Sequence, residues 1–258
     1  MIEQKKRQVL QISNIIAYFI MIFFNALSGT GVFNNQTIGE VSDEYPNLFT
    51  PAGITFSIWS VIYLFLLIYV FYQARDVFKD QKEEMPFLDQ ISFFFILSCV
   101  FNSLWLIVWL YDLVLLSVVI MILLLLSLMA IYLRLNIARG DLNKKEKIII
   151  WTPFSLYLGW ITVATIANVT VFLVSINWDG FGIAPFIWTV IVIIVALVLT
   201  LTILYTRKDL VYPLVTIWAL IGIIIRRFDQ YFDLAVVALI MIIIISANWV
   251  FLLIKKLK

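Results

Sequence analysis

Long apolar stretches alternate with short polar ones from one end of the chain to the other. The apolar windows fall at about 9–28, 54–72, 88–110, 114–135, 149–173, 184–205, 210–225 and 234–254. Roughly 20 residues of helix cross the ~30 Å of hydrocarbon in a bilayer, so these windows predict transmembrane helices. Pro51, Pro86, Pro153, Pro185 and Pro213 sit at or near their starts, where a missing N–H costs no hydrogen bond. The seventh window is the shortest, at about sixteen residues, and either spans a thinned bilayer or dips in and returns. The expected fold is all-α: a polytopic transmembrane helix bundle of eight spans, or of seven plus a re-entrant segment at 210–225.

Cytoplasmic loops retain Lys and Arg, which sets the expected orientation. The N-terminal tail holds Lys5, Lys6 and Arg7, and the next connection on that side holds Arg75, Lys79 and Lys82. Arg134, Arg139, Lys144, Lys145 and Lys147 follow, then Arg207 and Lys208, then Lys255, Lys256 and Lys258. With eight crossings these sixteen face one side and only Arg226 and Arg227 the other; a re-entrant seventh window gives fifteen against three. The loops at 29–53, 111–113 and 174–183 contain neither residue type. The expectation is a multi-pass protein of a bacterial cytoplasmic membrane with both termini cytoplasmic.

Composition narrows the chemistry. Of 258 residues, 64% are hydrophobic and 13% charged, with mean hydropathy +1.05, whereas soluble domains carry about 25% charged residues. Membrane lipid must therefore solvate much of the surface, and a net charge of +2 gives no reason to expect nucleic acid. The chain has no His, the commonest general base and metal ligand, and its single Cys99 sits in an apolar run. The stretch Met1–Arg7 (MIEQKKR) before apolar residues imitates a secretory signal, but the apolar run is long and more spans follow, so a retained first helix is expected. No catalytic residues, metal or cofactor are expected.

The aromatic residues are the main chemical signal, because several recur at helical spacing away from the interfaces. Phe56, Trp59 and Tyr63 share one face of the second window, as do Asn102, Trp105 and Trp109 in the third. In the fifth window Tyr157, Trp160, Ala164 and Asn168 form a third stripe. At 1.5 Å per residue, Asn102 and Asn168 lie about 12 and 9 Å from the outer helix ends, with Trp160 deeper, near 21 Å. An Asn facing lipid is costly, so Asn102 and Asn168 should point into the bundle. Two readings stay open. The stripes are interhelical glue with rings filling the core, or they line a pocket for a flat apolar ligand with a few polar contacts.

These residues carry a resemblance to the TspO/MBR family, the tryptophan-rich sensory proteins related to the mitochondrial translocator protein. Thr50-Pro51-Ala52-Gly53-Ile54-Thr55-Phe56, leading to Trp59 and Tyr63, resembles the opening of that family's second helix. Asn102 and Trp105 match its third helix, and Tyr157, Trp160, Thr162, Ala164 and Asn168 its fifth. The resemblance covers about residues 8–175. Three departures stand out: a Gly53-to-Trp59 spacing one residue shorter, Leu156 where the family has Pro before the Tyr, and added helices over 184–258. It implies a five-helix bundle over 1–175 with additional transmembrane helices over 176–258. It further implies a receptor or carrier for porphyrins (tetrapyrroles), sterols or similar flat hydrophobic ligands, closed over by the first loop, here the acidic 29–53 with Glu40, Asp43 and Glu44. The expected ligand-binding residues are Phe56, Trp59, Tyr63, Asn102, Trp105, Trp109, Tyr157, Trp160 and Asn168. A homodimer is one expected assembly.

Other features read more plainly. Gly29–Gly39 (GTGVFNNQTIG) lacks the Lys-Ser/Thr of a phosphate loop and suits a flexible lid. Arg226 and Arg227 either pair with nearby Asp229 and Asp233 or hold a ligand carboxylate at the outer mouth. Gly159, Val163, Ala164 and Ala167 suit close helix approach, and Arg139–Lys147 is a solvated loop. The competing functional class is a secondary transporter or permease component. Against it, no charged residue falls clearly mid-membrane and the halves show no repeat. Without His, acid–base catalysis has no visible site.

Overall fold

The structure is a computed structural model that describes residues 2–81 and 83–257. Lys82 and Lys258, counted above among the charges of one side, lie outside the described residues. Eight long helices coincide with the eight apolar windows: α1 (Ile2–Ser28), α2 (Ile58–Gln73), α3 (Phe94–Leu110), α4 (Val114–Arg134), α5 (Thr152–Ser175), α6 (Pro185–Arg207), α7 (Tyr212–Arg227) and α8 (Phe232–Leu257). Among the described residues, six helical segments are both long and apolar enough to cross a membrane; α3, at 17 residues, and α7, at 16, fall short of that length.

Helices α1 to α5 close a ring in the order α1, α2, α5, α4, α3, and back to α1. Tyr18, Ile62, Tyr69, Phe95, Met121, Phe154 and Tyr157 are among the buried side chains that fill its centre. Helices α6 to α8 pack on one another around Ile193, Leu220, Leu234 and Ile245, in a second core that also takes in Val163 of α5 and Phe49 of the first loop. Contact between the two groups runs mainly through α7, with Thr206 and Arg207 at the end of α6 bonded to Arg139 and Asn136 after α4. A Cβ added to Gly159 of α5 would lie 3.1 Å from Cβ of Val215, so the missing side chain lets α5 and α7 approach closely.

Side-chain bonds at the helix ends show that the eight helices alternate in direction. At the basic end, Arg7 of α1 pairs with buried Asp76 at 2.6 Å, and Asp209 accepts from Tyr132 at 2.9 Å and Ser155 at 2.5 Å. Asp209 also accepts from the Val211 amide just ahead of α7, and Trp249 of α8 donates to the Leu210 carbonyl there. At the opposite end, Asn34 donates to the Leu110 carbonyl and Tyr45 to Asp112. Burial first, and then the bond to Asp112, raises the Tyr45 phenol to about 12, so it remains a donor at neutral pH. Helix α7 thus begins against the basic end and finishes, at Arg226 and Arg227, against the first loop.

Three windows are not the simple helices expected; the fifth opens through a π-helical turn over Lys147–Trp151 ahead of α5. The stretch 88–110 breaks at Ser92 (φ +50°), separating the short helix Pro86–Ile91 from α3. The carbonyls of Asp89 and Gln90 accept from the Arg134 guanidinium, so a side chain from α4 satisfies backbone groups near the break. The second window opens as a 3-10 turn over Gly53–Ser57 before α2 begins. The first loop also carries structure of its own. Thr37 and Glu40 form a reciprocal capping box that starts the short helix Ile38–Asp43. That cap holds the Glu40 carboxyl below its usual range, chiefly through the Thr37 backbone N–H.

Candidate ligand site

A cavity of about 40 Å³ lies between α2, α3 and α5 beneath the first loop. Its aromatic wall is Phe56, Trp59, Trp105, Trp109 and Trp160, and its lid is Ile38, Ser42, Thr50 and Pro51. Val163, Ala164, Ala167, Asn168 and Val171 of α5 complete it, so three of the four residues read as helix-packing positions, Val163, Ala164 and Ala167, line this space. Trp59 is the hub. Its ring stacks on Tyr63 at 5.4 Å, tilts against Trp105 at 6.4 Å, and meets Trp160 edge-on at 6.0 Å. Phe56 meets Trp160 edge-on at 6.0 Å, and Trp105 stacks on Trp109 at 5.7 Å. The side-by-side rings arise because i, i+3 and i+4 positions lie above one another on a helix.

The nine candidate residues divide by role. Tyr63, Asn102 and Tyr157 do not line the cavity. They form a hydrogen-bonded knot at its side. Asn102 accepts from Asn25 at 2.8 Å and donates to Tyr157 at 2.9 Å, while Tyr63 donates to Asn25 at 2.8 Å. Asn25 on α1 was missed, although it is an Asn within an apolar window, the same signal that singled out Asn102. Asn168 borders the cavity, yet both ends of its amide are engaged. Its oxygen accepts from the Trp105 indole at 2.9 Å, and its nitrogen donates to Ser117 at 2.8 Å.

Trp160 is different. It is 2% exposed, and among the described residues its indole N–H has no acceptor. A buried donor left this way costs about 1–3 kcal/mol. The cavity wall therefore presents flat rings, and the unsatisfied indole N–H belongs to one of them.

The arginines do not sit as expected. Arg226 pairs with Asp43 of the lid and donates to the Pro51 carbonyl at 3.2 Å. Arg227 donates to the carbonyls of Leu48 (3.2 Å) and Asn47. Neither forms an ion pair with Asp229 or Asp233 among the described residues. The cause is direction: α7 aims its last turn at the loop, whose carbonyls are nearer than the carboxylates further along the chain.

A family profile described as TSPO-like protein matches residues 11–251. The chain belongs to the TSPO-like family. The match continues through α6, α7 and α8, so the helices beyond residue 175 fall within what the profile describes. No curated protein and no solved structure matches. This TSPO-like chain is an integral membrane protein built of apolar helices, and its aromatic stripes surround the small cavity beneath the first loop, whereas a larger apolar cleft of about 420 Å³ lies between α1 and α3.

Proposed function

We propose that this TSPO-like protein is a membrane receptor or carrier for flat hydrophobic molecules of the porphyrin or sterol class. The observation that carries the reading is the Trp160 indole N–H, buried without an acceptor in a wall of rings. Rings offer a flat ligand about 0.5–1.5 kcal/mol each beyond burial, and an acceptor on its edge would satisfy the free donor. Pockets for such ligands measure roughly 300–1,000 Å³, so binding requires the wall to move. The lid is the part able to do so, because the helices around the cavity are tied together by the Asn102 and Asn168 bonds. Catalysis is not part of this reading, and neither is a cofactor or metal. The transporter alternative draws no support, since buried Asp76 and Asp209 both anchor structure at the basic end.

Tryptophan quenching screened over porphyrins and sterols tests the ligand class, and Trp160→Phe tests the contact. The variant keeps a ring, removes the unused donor and trims the side chain by the pyrrole part of the indole. Its ligand-free melting temperature should stay near that of wild type, the void left in the wall offsetting the relief of an unsatisfied donor. Its affinity for a tetrapyrrole that offers an acceptor should fall about fivefold. Equal affinity in the folded variant would remove Trp160 as the polar contact, and an absence of quenching by either class would remove the ligand assignment.

The reading includes eight crossings, a five-helix bundle over 1–175 with three added helices, and cytoplasmic termini. Its support is the placement of α7 between opposite ends of the bundle and the Lys/Arg distribution. On a Cys99→Ala background, an impermeant maleimide should label Asp229→Cys from outside and spare Lys258→Cys. External labelling of the C-terminal site would leave α7 re-entrant.

A further inference from the structure

We infer that helix α7 is the latch of the cavity: its last turns hold the first loop shut, and access requires that hold to be released. The inference rests on the ligand reading above for what enters, but the latch itself can be tested without a ligand.

The lid residues Ile38, Ser42, Thr50 and Pro51 are joined to the rest of the protein by a short set of bonds. From α3 and the turn after it come three: Trp109 to the Ile38 carbonyl, Asn34 to the Leu110 carbonyl, and Tyr45 to Asp112. From α7 come more, spread over the segment from Asp43 to Thr55. Arg226 holds Asp43 and the Pro51 carbonyl, and Arg227 holds the carbonyls of Asn47 and Leu48. Gly222 accepts from the Ala52 amide at 3.0 Å, and the Trp218 indole donates to the Thr55 carbonyl at 2.9 Å. Thr50 and Pro51 line the cavity, and the Pro51 carbonyl is itself held by α7.

The strength of these attachments is uneven. Ala52–Gly222 and Trp218–Thr55 lie where the chain turns into α2 and form a hinge. The arginine contacts lie outward of it. The Arg226–Asp43 pair is open to solvent, with side chains 27% and 61% exposed, so it can break and remake at small cost. Arg227 is 8% exposed and bonds two carbonyls, which makes it the firmer hold. A clasp of this kind, weak at its rim and firm at its root, lets the segment 38–51 swing while the start of α2 stays fixed. Because the latched cavity is small, a ligand competes with the latch. Weakening the latch should raise the fraction of open protein and with it the association rate.

The test uses the full chain with Cys99→Ala and Ser42→Cys, which places a thiol on a buried lid residue that lines the cavity. Maleimide labelling of Ser42→Cys should be slow. Arg226→Ala with Arg227→Gln should accelerate it about tenfold, and Asp43→Asn, which alters the lid and leaves α7 intact, about two- to threefold. Exchanging the pair, Asp43→Arg with Arg226→Asp, should bring the rate back toward that of the parent. Equal labelling rates in all four proteins would overturn the latch. Faster labelling together with an absence of porphyrin or sterol binding would uphold the latch and reject the ligand reading. Porphyrin binding to the parent with unchanged labelling in the variants would do the reverse.

Discussion

Gly222→Ala is expected to lower the melting temperature in detergent and loosen the first loop, a large effect for one methyl group. A Cβ at position 222 would stand 1.9 Å from Oγ1 of Thr55, 2.9 Å from Cβ of Pro51 and 3.0 Å from Cβ of Thr55. Rotating the Thr55 hydroxyl removes only the first clash, because the two carbon atoms belong to a proline ring and a branched side chain. Helix α7 must then back away from the start of α2, stretching the 3.0 Å bond from Ala52 to the Gly222 carbonyl. Overpacking of this kind costs roughly 1–3 kcal/mol. Alanine is the better helix former by about 1 kcal/mol, so a purely local view forecasts the opposite sign. Thr55→Val separates the causes. It keeps the shape and removes a buried hydroxyl that has no partner among the described residues, so it should be near neutral. A Gly222→Ala protein as stable as wild type would show that the contact between α7 and the second helix yields freely.

Much of this architecture was legible in the sequence because the bilayer imposes a simple rule on helix length. All eight windows coincide with helices, and the prolines near their starts mark real beginnings at Pro86, Pro185 and Pro213, whereas Pro153 follows a π-helical turn inside one continuous stretch from Lys144 to Ser175. Hydropathy does not register backbone breaks that a distant side chain repairs. The interruption at Ser92 sits in a hydrophobic stretch, and the Arg134 donors that serve its flanking carbonyls lie more than forty residues later. The site was legible in part. Helical spacing brought Phe56, Trp59, Trp105, Trp109, Trp160 and Asn168 to one cavity, but it could not separate cavity-lining groups from the Tyr63, Asn102 and Tyr157 knot. That division depends on which hydroxyl meets which amide across helices. The Thr37–Glu40 capping box was visible as T-x-x-E and marks a short helix in what composition alone makes a flexible lid. The reach of Arg226 and Arg227 across more than 170 positions to that lid left no local signal.

Asn102→Leu is expected to be the most damaging of the cavity-side substitutions, and to act on stability rather than on ligand affinity. Asn102 is 1% exposed and joins four helices, its own α3 with α1, α2 and α5. Leucine in its place does not disturb everything the amide touches. Asn25 still donates to the Met21 carbonyl at 2.9 Å, and Tyr63 still donates to Asn25. The group left stranded is Tyr157, which is fully buried and whose hydroxyl has Asn102 as its partner. A buried hydroxyl without a partner costs about 1–3 kcal/mol, and the lost interhelical bonds add roughly 0.6 kcal/mol each. Together these forecast a loss of about 2 kcal/mol. Tyr157→Phe in the same protein removes the stranded hydroxyl, so the double variant should be more stable than the two single losses combined, by about 1 kcal/mol. Because none of the three residues lines the cavity, tetrapyrrole affinity should stay within twofold of wild type in every variant that folds. Additive losses would mean that Asn102 and Tyr157 do not depend on one another. A large fall in affinity with unchanged melting would move the knot from the frame of the site into the site itself.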